Sequence, residues 1–224
     1  MAGIGIYGIF YAKATLTDGA VTGYTGGTKL LGEAIDASFE PNQPEGNPLY
    51  ANNRIQENDT SGASGGTLTH TTSRLKMEAV ADIYGLELKT VQVTVEGQTE
   101  PVTGTRVSYT GDETAATVGA AYIRMNQENG VRSHEVVLFR GVDYKMPAES
   151  AQTRGESVEW QTSELEGSVL GRMGNGEPWH DRYVFPTQDA AIAYIYSILG
   201  QPAPEEEAAI YAAMERMNEE AETA

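Results

Sequence analysis

The stretch VGAAYIRMNQENGVRSHEVVLFRGVDY, residues 118–144, decides the fold class. Two runs rich in β-branched and aromatic residues, Val118 to Gln127 and Val131 to Tyr144, flank Glu128-Asn129-Gly130. Asn-Gly accepts the positive φ angles of a tight antiparallel turn, so the stretch predicts a β-hairpin. One face of the second strand carries His134, Val136, Leu138, Arg140 and Val142, and the other carries Glu135, Val137, Phe139 and Asp143. Both faces are partly apolar, which predicts burial on both sides against different partners.

Working outward, Ile4 to Leu16 reads as a strand ending at Asp18-Gly19, and a second strand is expected from about Thr28 to Phe39. Glu40 to Gly66 shifts to Pro, Asn, Gln, Glu, Ser and Gly around Leu49-Tyr50-Ala51, the composition of a long loop or protruding hairpin. Connections this long inside a domain are usually functional or disordered, so this one is the first place to seek a partner contact. Thr67 to Thr72 returns to strand composition. Leu75, Ala79, Val80 and Ile83 then recur at helical spacing before a Gly85 cap. Leu88 to Val95 and, more weakly, Thr105 to Thr110 read as strands.

Towards the C-terminus a strand pair is expected over Glu156 to Leu170, then a turn at Gly171 to Gly176 leading into Trp179 to Phe185. Thr187 caps a helix with Ala190, Ala191, Ile195, Ile198 and Leu199 near one stripe, ended by Gly200 and Pro202. Glu205-Glu206-Glu207 complement the dipole of a last helix whose stripe is Ile210, Met214 and Met217, either solvated or docked on a neighbour. The chain therefore reads as mainly β with flanking α-helices. One domain spans residues 1–200, including the protruding loop 40–66, and 201–224 form an acidic helical extension.

Composition narrows the function. With 40% hydrophobic and 21% charged residues among 224, the chain has the makings of a full core. Asp and Glu outnumber Lys and Arg by 32 to 15, for a net charge of −17, which opposes the phosphate neutralisation that nucleic-acid binding requires. Absent cysteine excludes disulfides and thiolate chemistry. No apolar run approaches the ~20 residues of a membrane helix, and Met1 to Phe10 lacks the basic region of a signal peptide, so a cytoplasmic protein not exported by a signal peptide is expected.

Candidate chemistry is thin. Gly3, Gly5 and Gly8 spell G-x-G-x-x-G without the preceding strand that aims a dinucleotide loop, so they read as small residues in a strand that approaches another backbone. Gly26-Gly27-Thr28-Lys29 is no phosphate loop, and Asn58-Asp59-Thr60 matches a glycosylation sequon as short motifs do by chance. His70, His134 and His180 lack metal-ligand spacing and read as surface or satisfied histidines. Glu164 and Glu166 share a strand face, a pair a glycosidase would use, but they read as a solvated acidic face protecting an edge. No catalytic residue, cofactor or metal site is expected.

A motif series remains: Tyr11-Ala12-Lys13, Leu49-Tyr50-Ala51-Asn52-Asn53, Gly65-Gly66-Thr67-Leu68-Thr69, Gly119 to Arg124, Asn129-Gly130-Val131-Arg132, Arg154-Gly155-Glu156-Ser157-Val158-Glu159 and Leu165-Glu166-Gly167. On these the chain resembles the major tail proteins of long-tailed, non-contractile phages, the phi13-type group, over most of its length. The resemblance implies a tail tube subunit with a β-sandwich or barrel-like fold. Six copies would close into a ring, and rings would stack into a hollow tube that conducts DNA without binding it specifically. It further implies tape measure, tail-tip and tail-terminator proteins as partners, and a place in the virion tail after synthesis in the bacterial cytoplasm.

On that footing two residue sets are of interest. Leu49, Tyr50, Asn52, Asn53 and Arg54 are candidates for contact with the adjacent ring, and Glu156, Glu159, Glu164 and Glu166 for an acidic bore. Six copies would place about −100 of charge on a ring, a field that repels phosphate. The alternatives are a tube protein of a contractile tail or secretion-type injection system, and a carbohydrate-binding β-sandwich module. The last lacks an aromatic platform, with only Trp160 and Trp179 as indoles.

Overall fold

The computed structural model describes residues 2–43, 47–51, 54–59, 64–97, 100–148, 162–171 and 178–212, with the backbone alone of 47–51 and 54–59. The chain is mainly β, built on one large antiparallel sheet. β1 (Ala2–Thr17) and β2 (Ala20–Pro41) form a long hairpin about Asp18-Gly19. A small hairpin, β3 (Asn47–Ala51) and β4 (Arg54–Asp59), interrupts the path to β5 (Gly66–Leu75). After α1 (Met77–Tyr84), β6 (Glu87–Val93) and β7 (Val102–Ser108) form a third hairpin. β8 (Val118–Glu128) and β9 (Val131–Tyr144) follow, then β10 (Ser163–Val169), β11 (His180–Phe185), α2 (Gln188–Leu199) and α3 over 204–212.

The main sheet runs β10-β5-β2-β1-β8-β9-β11, every neighbour antiparallel. β10 also pairs with the last turn of β9, through Gly167↔Tyr144 and Val169↔Val142. Six strands, β10, β5, β2, β1, β8 and β9, thereby form a closed circuit of hydrogen-bonded neighbours, with β11 added on β9. Closing the circuit removes sheet edges that would otherwise be free to aggregate. The expected hairpin at 118–144 is present, with Asn129 at φ 51° and Gly130 at φ 81°.

Two cores result. Ile9, Tyr11, Leu31, Leu68, Ala120, Val137, Phe139, Val142 and Leu165 fill the interior together with Ala79, Ala81 and Ile83 of α1. On the other side of β1, β8 and β9, Phe10, Ala121, Ile123, Val136 and Leu138 pack under Ala191, Ile192, Ile195 and Leu199 of α2. Each fully buried Leu, Ile or Phe contributes roughly 1.5–3 kcal/mol. Both faces of β9 are therefore buried by layers of the same chain, where different partners were expected.

Several expectations shift in detail. Val142 was assigned to the face of Val136 and Leu138, but it joins Val137 and Phe139 in the interior. A bulge between Val118↔Val142 and Ala120↔Phe139 inserts an extra residue and reverses the alternation. Leu75 is the last residue of β5, paired with Gly32, and α1 starts at Met77. Leu75 leans on the same core as Ala79 and Ile83, which imitated a helical stripe.

β2 begins at Ala20 instead of Thr28, because pairing with β1 carries Gly23 and its neighbours from Ala20 to Thr25 into the ladder, with Gly26 and Gly27 in the register shift that follows. Gly27 is required there, since a Cβ would lie 2.2 Å from the Gln201 carbonyl oxygen. Gly3, Gly5 and Gly8 do lie in β1, but added Cβ atoms would meet the side chains of Arg124, Met125 and Phe10, not a neighbouring backbone. In α2, Ile192 and Tyr196 take buried places, while Ala190 and Ile198 are only half-buried. Ile210 of α3 is fully buried against the α2 layer, so this helix is docked on its own chain. The part of the expected strand pair that precedes residue 162 lies outside the described residues, as do Met214 and Met217. No helix among the described residues is long and apolar enough to cross a membrane.

Candidate assembly surfaces

The outer face of β10, β5 and β2 is a polar sheet surface. In β10, Leu165, Gly167 and Val169 point inward and are buried, which turns Glu164, Glu166 and Ser168 outward. In β5 the inward residues are Leu68, His70 and Thr72, leaving Thr67, Thr69, Thr71 and Ser73 outside. The register then fixes what stands beside what. Thr71 lies between Glu164 and Asp36, Thr69 between Glu166 and Ser38, and Thr67 between Ser168 and Glu40. Ser73 donates to Glu33 Oε2 at 3.1 Å on the same face. A row of hydroxyls thus runs between two rows that carry Glu33, Asp36, Glu40, Glu164 and Glu166. On this face Lys145 is bound to Glu166.

Glu164 and Glu166 share one face, as expected from their spacing; Glu156 and Glu159 lie outside the described residues. Asp36 and Glu40 were missed because their alignment with Glu164 and Ser168 depends on two strand registers. The alternation of Thr67, Thr69 and Thr71 was the visible signal.

A cleft of about 240 Å³ opens between β2 and the β8–β9–β11 side, lined by Phe39, Tyr122, Arg124, Val137, His180 and Arg182. That is smaller than the roughly 300–1,000 Å³ of ordinary small-molecule sites. At its rim the buried Glu135 carboxylate accepts from Arg124 Nε at 3.0 Å, Asn126 Nδ2 at 2.9 Å and Arg182 Nε at 2.7 Å. Burial alone would raise its pKa, but donation from Asn126, Arg124 and Arg182 brings it below the usual carboxylate value. One carboxylate thereby ties two guanidiniums together across neighbouring strands, a structural lock with a net charge of +1.

His180 stacks on Phe139 at 4.6 Å, and burial, then Arg182, lower its pKa. Of the three histidines, read from the sequence as surface or satisfied, His134 and His180 are half-buried and His70 is enclosed in the core. His70 is fully buried, and His70 Nε2, His134 Nδ1 and His180 Nε2 are buried without a hydrogen-bond partner. Ala37, Tyr122, Tyr144 and Leu165, from four other strands, surround His70, which no single-strand pattern reveals. Among the described residues no group of three His, Asp or Glu is placed to hold a metal ion.

Two hairpins stand apart from the main sheet. In the first, Leu49 pairs with Glu57, Tyr50 with Ile55 and Ala51 with Arg54, so the loop expected at 40–66 contains a β-hairpin. Asn52 and Asn53 lie outside the described residues. Its base is closed by Asn42 N–H to Gly65 O at 3.0 Å and Ser64 N–H to Asn42 O at 3.3 Å. The second hairpin, β6–β7, was read only as two unpaired strands. Compared with known proteins, the chain matches no family model and no curated sequence.

Proposed function

We propose that this chain is the repeating subunit of the tail tube of a long-tailed, non-contractile phage. Six copies form a ring, rings stack, and the bore conducts DNA during infection. In this reading the six-strand circuit is the barrel of a tail-tube fold, with α2 and α3 on its outer side and the acidic, threonine-lined face turned to the lumen. The subunit has no catalytic role. Tape measure, tail-tip and tail-terminator proteins are its partners in the virion.

The observation that carries the proposal is the acidic face. Its carboxylates stand in register on either side of a hydroxyl row, and no helix of the described residues packs on it. A wall of this kind repels phosphate and keeps its own hydration, which suits passage of DNA in preference to adhesion. The β3–β4 hairpin, with Leu49, Tyr50 and Arg54, is assigned to contact with the adjacent ring. The hairpin then supplies the surface for the contact that propagates along the tube. Electron microscopy of the purified, concentrated protein tests the proposal. Hollow tubes of stacked rings are expected, and a chain that remains monomeric at every concentration refutes it.

A further inference from the structure

The turn between β8 and β9 places two reactive groups side by side. Residues 127–132 are all exposed, and the ladder closes at Glu128↔Val131, so Asn129 and Gly130 form a two-residue turn with φ of 51° and 81°. The Gly130 N–H lies outside that ladder and makes no other backbone hydrogen bond among the described residues. Nothing stands within 4 Å of the place a Gly130 Cβ would take. An exposed primary amide thus sits next to a main-chain nitrogen that is neither bonded nor shielded.

No other asparagine with a described side chain combines these features. Asn126 is 4% exposed, gives its Nδ2 to Glu135 at 2.9 Å, and precedes Gln127, which is paired with Arg132 in the ladder. Asn42 precedes Gln43, whose side chain crowds the next nitrogen as glycine does not. Asn175-Gly176 repeats the pair in sequence but lies outside the described residues.

We infer that Asn129 is a site of spontaneous deamidation and isomerisation, through a cyclic imide closed by Gly130. The Gly130 nitrogen loses its proton and attacks Asn129 Cγ, the Cγ–Nδ2 bond breaks, and ammonia leaves carrying that proton. Water then adds to one of the two imide carbonyls. Opening at the side-chain carbonyl gives aspartate. Opening at the main-chain carbonyl gives isoaspartate, whose chain runs through Cβ and Cγ.

The two products act differently on the fold. Aspartate before glycine suits the same turn. Isoaspartate adds one atom to the main chain of a two-residue turn whose length sets the strand register. The register pairs Ile123 with Val136 a few residues away, and both are fully buried under α2. Each event also adds one negative charge to a chain already at −17. None of this depends on the proposed tube.

The test incubates the full-length chain at pH 8 and pH 6, native and in urea, and maps it by trypsin digestion and mass spectrometry. Cleavage after Arg124 and Arg132 puts Asn126 and Asn129 in one peptide. In the native chain Asn129 should gain the mass of deamidation about tenfold or more faster than Asn126, because glycine leaves the attacking nitrogen uncovered. The reaction should run faster at pH 8, since the attacking amide must lose its proton, and enzymatic methylation should detect isoaspartate. Gly130→Ala, compared in urea where the strain of its positive φ is absent, should slow the reaction by about tenfold or more. A brief protease pulse in urea near the unfolding midpoint should remove isoaspartate-bearing chains first, while Asn129→Asp survives as wild type does. Equal native rates at Asn126 and Asn129, or reaction of Asn129 in urea alone, overturn the site. Survival of isoaspartate-bearing chains in proportion to their abundance overturns the effect on the hairpin.

Discussion

His70 makes the stability of this protein depend on pH by an amount that can be worked out. Its ring is fully buried between strands, with Nδ1 2.8 Å from the Tyr144 hydroxyl, the Tyr122 ring edge-on at 5.9 Å and Nε2 without a partner. Burial lowers its pKa from 6.5 to about 3, so the folded chain keeps it neutral while the unfolded chain takes up a proton near pH 6.5. The stabilisation is therefore complete above the unfolded pKa and is lost as pH falls from there towards about 3. Between pH 7 and pH 5 the unfolded state gains about 2 kcal/mol from this one site, a figure that holds for any folded pKa below about 4.

His134 and His180, whose pKa values are also lowered, add to the wild-type slope. Asp82 and Glu135 have lowered carboxylate pKa values, and their contributions are lost only at lower pH, outside this window. The difference between wild type and His70→Gln isolates His70, since glutamine can serve the Tyr144 hydroxyl but does not titrate. Urea unfolding of the dilute chain at pH 7 and pH 5 should show the variant gaining about 2 kcal/mol on wild type as pH falls. Parallel curves, with the difference constant to within about 0.5 kcal/mol, would refute a neutral buried His70.

Three further outcomes follow from the geometry. At Gly119 an added Cβ would lie 2.4 Å from Tyr24 Cε1 and 2.6 Å from Leu199 Cδ2. Gly119→Ala should thus cost about 1–3 kcal/mol in urea unfolding, while Gly23→Ala, into open space, should be near neutral or stabilising. Glu135→Gln removes the charge that Arg124 and Arg182 share, and should lower stability by about 1–3 kcal/mol at pH 7 with a smaller loss in high salt. Because Asn42 and Gly65 are already hydrogen-bonded, residues 44–62 can be replaced by a two-residue Asn-Gly turn. The shortened chain should unfold at nearly the wild-type midpoint yet form no tubes, and unimpaired tubes would remove the β3–β4 hairpin from ring stacking.

How far the sequence could be read depended on how local each signal was. The β8–β9 hairpin was legible because Asn129-Gly130 and two apolar runs are contiguous. Thr187 and Gly85 bounded helices through single capping residues, visible in the chain. Val142 was misplaced because a bulge lies in the pairing of two strands, not in either one. The first eight residues of β2 were missed because their strand character comes from β1 across the ladder. The acidic face was half legible. Glu164 and Glu166 announce themselves by spacing, whereas Asp36 and Glu40 join them only through β5, from sequence positions more than a hundred residues away. The burial of His70 had no sequence signal, since Thr69 and Thr71 beside it read as an ordinary exposed strand.

A helical reconstruction of the assembled protein at side-chain resolution tests the central claim most directly. Six subunits per ring are predicted, with Glu164, Glu166, Asp36 and Glu40 facing the lumen on either side of Thr67, Thr69 and Thr71. A tube that carries this face on its outer surface, or buries it between subunits, would contradict the account.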